Sequence, residues 1–153
     1  MSRPLGNANA EMDAARLRVL LAQAMSNSRS GLYHPVTPQL LYDDTVSRWA
    51  GTLLRATGTY YFTPNTSYNT WPTGAVAVKL LIFGTWAAAS NSSYMSVMQR
   101  GSSAAEIQVR ALVANYIMVT QGDVSCDSDG EFQITIGGVQ STACLCRLLG
   151  YYL

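Results

Sequence analysis

The sequence predicts a mainly β protein: an antiparallel β-sandwich or jelly-roll-like domain with one N-terminal α-helix. Three observations predict it. The one sustained apolar period of 3.6 residues lies before residue 30. After residue 45 the periodic stretches are short, and Gly, Asn, Asp and Ser turns separate them with no helical segment between. The chain has 153 residues, the size of one domain, and 48% are hydrophobic, too many for a disordered chain. The expected organisation is a helical arm over 1–30 and a sandwich of about seven or eight strands over 31–153.

The helix comes first. Asn7 or Asn9 can cap it, and Glu11 and Asp13 fall in its first turn, where the helix dipole favours negative charge. Ala10, Ala14, Leu17, Leu21 and Ala24 share one face, and Leu20 and Met25 widen that stripe. Leu17, Leu20, Leu21 and Ala24 are the candidate contact joining this chain to another subunit; packing of the same stripe on its own domain is the alternative. The run Ser26-Asn27-Ser28-Arg29-Ser30-Gly31 ends the helix.

The rest reads as strands and turns. His34-Pro35 and Thr37-Pro38 make residues 31–45 extended and irregular. Arg48 to Phe62 is strand-like but broken by Gly51 and Gly58, and Thr63 to Thr70 is a polar loop. Ala75 to Phe83 reads as a buried strand with Val76, Val78, Leu80 and Ile82 on one face and Lys79 on the other. Ala87 to Ser93 reads as a turn, Tyr94 to Gln99 as a strand, and Ile107 to Val109 and Val113 to Val119 as two more. Gln121-Gly122-Asp123 and Asp127-Ser128-Asp129-Gly130 mark turns. Phe132, Ile134 and Ile136 alternate with Glu131, Gln133 and Thr135, the cleanest half-buried strand, and Gly137-Gly138 turns the chain into a last strand from Ser141 to Tyr152.

Only 12% of residues are charged, about half the usual share, and the net charge is +1. No basic excess is available to neutralise phosphates, so no nucleic-acid partner is expected. Arg16 and Arg18 interrupt the apolar run near the N-terminus, and no stretch reaches the length of a membrane span. Neither export nor membrane insertion is expected, and synthesis is expected in a cytoplasm. So sparse a charge suits a protein whose faces are covered by neighbours.

Candidate chemistry is thin. His34 is the single imidazole and lies in a Pro-containing segment, so a catalytic relay lacks material, and no enzyme activity is expected. Cys144 and Cys146 lie two apart on a strand and share a face, with Leu145 and Arg147 opposite, which favours the cysteines facing the core. Cys126 can reach either, so a disulfide and buried free thiols both fit. Asp123, Asp127, Asp129 and Glu131 are spaced too tightly for a calcium loop and fit a polar hairpin turn. No metal and no cofactor are expected. Trp49, Trp71 and Trp86 are candidates for an aromatic glycan platform, with core packing as the alternative.

Five segments fall in a recognisable order: Pro72-Thr73-Gly74-Ala75-Val76-Ala77-Val78, Ser93-Tyr94-Met95-Ser96-Val97, Val113-Ala114-Asn115-Tyr116-Ile117-Met118-Val119, Asp129-Gly130-Glu131-Phe132, and Leu149-Gly150-Tyr151-Tyr152. Over about residues 70–153 the chain resembles the small β-sandwich modules of bacterial cell-wall-associated extracellular proteins and of tailed-phage virion accessory proteins. The resemblance implies a fold and an adhesive role without a shared catalytic set. Cys144-Leu145-Cys146-Arg147 and the N-terminal helix depart from the pattern. The function expected is that of a phage virion structural protein, a head decoration or fibre-like accessory protein, adhering to copies of itself, a trimer by analogy, and to capsid or tail proteins. A carbohydrate- or cell-wall-binding module is the first alternative. A small viral coat subunit is the second.

Overall fold

The computed structural model describes residues 32–46, 48–49 and 54–153. The chain divides into two units, Met1–Ser30 and Gly31–Leu153, and the structure below is that of the second. The predicted helix, with Leu17, Leu20, Leu21 and Ala24, lies outside the described residues.

Among the described residues there are ten strands: β1 (Tyr33–Leu40), β2 (Tyr42–Asp43), β3 (Arg48–Trp49), β4 (Gly58–Phe62), β5 (Ala77–Thr85), β6 (Ser90–Gln99), β7 (Ile107–Ala111), β8 (Met118–Ser125), β9 (Phe132–Gly137) and β10 (Ala143–Tyr152). Two four-stranded antiparallel sheets carry the fold, in the orders β1-β10-β5-β8 and β4-β9-β6-β7, and β2 pairs with β3 alone. The two sheets share one core. Val78, Leu80, Ile82, Cys146 and Leu148 reach it from the first sheet, and Phe62, Met95, Val97, Val109, Ile134 and Ile136 from the second. Each such side chain contributes roughly 1.5–3 kcal/mol by leaving water. Trp71, Trp86, Leu41 and Leu54 close the core from the connecting segments.

The alternation of β9 follows the sequence, with Phe132, Ile134 and Ile136 buried. So does that of β5, except that the strand starts at Ala77 and leaves Val76 exposed. Four expectations need correction. The segment with Pro35 and Pro38 is a strand: among the described residues β1 pairs on one side only, with β10, and the ladder shifts register between Pro35 and Gln39. Residues 112–117 are not strand, and β8 runs instead through Gln121-Gly122-Asp123, which pair with Leu81, Leu80 and Lys79. Gly122 reads as a turn signal but serves close approach: a Cβ there would lie 2.5 Å from the Ile107 side chain of β7. Ser90 to Ser93 belong to β6, not to a turn. Gly130, in the turn before β9, has φ +81°. At Gly130 a Cβ would also press on the Thr73 carbonyl at 2.8 Å.

Candidate functional site

The segment leading into β8, with the start of that strand, carries the largest concentration of solvent-facing apolar side chains among the described residues. Leu112, Val113, Tyr116, Ile117 and Val119 are all more than half exposed. Water gains nothing from this arrangement, and yet the loop is held in place. Asn115 N–H donates to the Trp86 carbonyl at 2.7 Å, Leu112 N–H donates to the Arg110 carbonyl at 2.9 Å, and Asn115 takes the left-handed φ of 56° that Asn tolerates. Trp86, which anchors it, is fully buried. The apolar surface continues onto the first sheet. Val119 pairs with Phe83, and Phe83 with Leu145, so three apolar residues form one cross-strand row on the face away from the core. Composition had marked residues 113–119 as a strand because Val, Tyr and Ile suit one. The signal that could have separated them is the missing alternation: Leu112-Val113 and Tyr116-Ile117 are adjacent pairs.

The cysteines are free and buried. Cys144 and Cys146 point into the core and Arg147 is exposed on the opposite face, while the Cys126 thiol sits at the end of β8. Burial pushes Cys144 up to about 11 and Cys126 up to about 12, the latter helped by the carboxylates of Asp127 and Glu106, and burial alone raises Cys146. These groups are thiols, not thiolates, at neutral pH and are poor nucleophiles. An unfolded thiol ionises near 9.0, so above that pH the unfolded chain releases protons that the native state retains. Stability is therefore expected to be level below about pH 8.5 and to fall as pH rises toward 11 and beyond, by about 1.4 kcal/mol per pH unit for each thiol. Urea midpoints measured at about pH 8 and about pH 10 check this, and equal midpoints would refute it.

The tryptophans do not form a shared platform, which corrects that expectation. Trp71 and Trp86 are fully buried, and Trp49 alone is exposed. Trp71 N–H donates to the Gly130 carbonyl at 2.8 Å. Trp49 and Tyr68 both pack against Tyr42, whose ring lies 4.2 Å from that of Tyr68. Beneath this cluster Asn69 is buried and spends its amide on Tyr42 and Thr63 backbone groups. The cluster fastens β2 to the polar loop, with Trp49 and Tyr68 still partly exposed.

The remaining sequence candidates have structural partners. His34 stacks on Tyr151 at 5.0 Å, and its Nε2 and the Trp86 N–H are buried without a hydrogen-bond partner among the described residues. Asp127 accepts from Asp129 N–H and Glu131 N–H, forming the hairpin turn that its spacing predicts. Glu131 and Asp44 flank Thr63, and Arg100 pairs with both carboxylates. The Tyr152 hydroxyl donates to Asp123 at 3.0 Å, and burial together with that carboxylate pushes it up to about 12. Among the described residues no group of three His, Cys, Asp or Glu is arranged to hold a metal, and no helix is long and apolar enough to cross a membrane.

No protein-family model and no curated protein matches the chain. Among solved structures, the chain is similar to a variant of the exo-β-1,3-galactanase of Phanerochaete chrysosporium with β-1,3-galactotriose, at 15% identity and a TM-score of 0.32, over 80% of this chain and 29% of that chain. It is similar also to the same galactanase with galactose, at 15% identity and a TM-score of 0.33, over 81% of this chain and 28% of that one. The chain spans less than a third of the length of those enzymes.

Proposed function

We propose that the protein is a virion structural subunit that works by adhesion to copies of itself, a coat-type shell protein rather than an enzyme. The observation that carries this reading is the anchored apolar surface running from Leu112 through Ile117 to Val119, Phe83 and Leu145. An apolar surface of this kind on a soluble chain marks a contact with another macromolecule. The occupant is a second copy, because the chain has few charges, 12%, and a net charge of +1, so copies meet with little mutual repulsion.

The strand order supports the coat reading over that of a decoration protein. Counting the eight strands of the two large sheets in chain order, they read 1-8-3-6 and 2-7-4-5. This is the double Greek key of a jelly roll, an architecture that viral shells share with lectin domains. Fold alone does not decide function; the apolar surface is what supports the shell reading over a lectin-like one. Its chemistry needs no reacting group. Burial of apolar area supplies the contact energy, and repetition of the contact around a closed assembly supplies avidity.

Sedimentation of the full chain over a range of concentrations tests the proposal. The expected result is a discrete oligomer or closed particle that persists at high salt, since apolar contacts strengthen where ion pairs weaken. A monomer at every concentration and ionic strength would overturn it.

A further inference from the structure

The outer face of the second sheet carries a feature that adhesion between copies leaves unused. Strand alternation turns Met95, Val97, Val109, Ile134 and Ile136 to the core. On the opposite face, Tyr94, Ser96, Gln108, Arg110, Gln133 and Thr135 line a cleft of about 410 Å³. Hydroxyls and amides dominate the lining, and Arg110 is its one charged side chain.

The cleft is built in advance of any ligand. The loop that follows β6 stands over the sheet, and Gln133 holds it there: its side-chain carbonyl accepts from Gly101 N–H at 3.0 Å and its amide donates to the Ser102 carbonyl at 3.1 Å. Ser96 and Gln133 are only 2% and 9% exposed, although they lie on the outer face. Gln108 donates to the Ser96 hydroxyl at 2.6 Å. Arg110 in turn donates through Nε to Gln108 at 2.7 Å and through Nη1 to the Asn91 carbonyl at 3.2 Å. These two bonds fix the guanidinium plane and leave three of its five N–H donors for a ligand. At the far side the Tyr94 ring lies on Gly137, where a Cβ would come within 2.4 Å of it. The Tyr94 hydroxyl has no hydrogen-bond partner among the described residues.

The geometry points to a saccharide of about two residues as the occupant. The three remaining Arg110 N–H donors and the Tyr94 hydroxyl suit vicinal sugar hydroxyls, which both donate and accept, and the Tyr94 ring suits the C–H face of a pyranose. A phosphate-rich ligand needs more than one cation, and a lipid needs an apolar lining; the cleft has neither. This site is separate from the apolar surface of the self-adhesion reading, and either can fail without the other.

Saturation-transfer NMR on the full chain tests it, because the method reads a bound small ligand on a monomer and on a particle alike. The probes are lactose, cellobiose and sialyllactose. Transfer to at least one of them is expected. Transfer to the neutral sugars assigns Arg110 to hydroxyl recognition, and transfer to sialyllactose alone assigns it to the carboxylate. Arg110→Ala is expected to weaken binding about tenfold, the size of one lost charged hydrogen bond. Ser103→Trp, on an exposed residue of the overhanging loop, is expected to fill the cleft and abolish the signal, and it keeps the test open should the first variant lose its fold. Absence of transfer to all three sugars, or unchanged binding in both variants, overturns the proposal.

Discussion

Replacing Trp71 by alanine is expected to cost about 3–5 kcal/mol, a large part of the stability of a domain this size. The indole is fully buried. It lies 5.5 Å from Phe132, which stacks on Phe62 at 5.0 Å with planes only 5° apart, and Phe62 and Phe132 are directly paired between β4 and β9. Removing the indole leaves a void beside this stack that the sheet cannot collapse into. It also leaves the Gly130 carbonyl, in the tight turn that the φ of +81° makes, without its donor. Trp71→Phe separates the two losses. It keeps most of the ring area, sheds only the hydrogen bond, and should cost about 1–2 kcal/mol. Urea denaturation followed by circular dichroism reads both values. An alanine variant as stable as the parent would mean that Trp71 does not close the core.

The second large effect is on assembly rather than on folding. Leu112→Glu combined with Ile117→Glu is expected to reduce the oligomer to folded monomers with an unchanged circular-dichroism spectrum, their melting temperature lowered only by the stabilisation that assembly supplied. Both side chains are more than half exposed in the subunit, so folding loses little. At a contact between copies each would bury a leucine-sized surface, worth about 1.5–3 kcal/mol, and the introduced carboxylate adds its own desolvation cost. Together they should raise the dissociation constant about a thousandfold or more. The same charges placed at Thr57 and Ser128, exposed polar positions, control for added repulsion and should leave the sedimentation profile as it was. A doubly charged loop that still assembles would move the contact away from Leu112–Val119.

The parts of the fold legible in the sequence are those where one face is buried and the other wet. Phe132, Ile134 and Ile136 announce β9 through strict alternation, and Arg147 opposite Cys144 and Cys146 shows which way β10 faces. The rest fails for identifiable reasons. Pro35 and Pro38 argue against a strand unless one knows that, among the described residues, β1 lies at an edge of its sheet, where a missing N–H costs least. Gly122 signals a turn, while its missing side chain makes room for Ile107 from a strand distant in sequence. Leu112 to Ile117 have strand composition but no partner strand, because they face outward. The cleft over the second sheet depends on one glutamine bridging to a loop some thirty residues away, and no local pattern encodes that. Trp71 and Trp86 illustrate the converse: an aromatic residue in a loop reads as available, although the loop exists to carry it inward.

The two prolines of β1 have a further consequence. A sparsely charged protein that gathers at high local concentration risks amyloid-like growth, in which backbones of successive copies zip together along an open rim. Pro35 and Pro38 carry no amide N–H to offer an added strand, and the shifted register between Pro35 and Gln39 disturbs the spacing of the rim. Polymerisation through the main chain is thereby obstructed on this side of the molecule, and encounters there are left to side chains, whose fit specifies angle and number and can be undone.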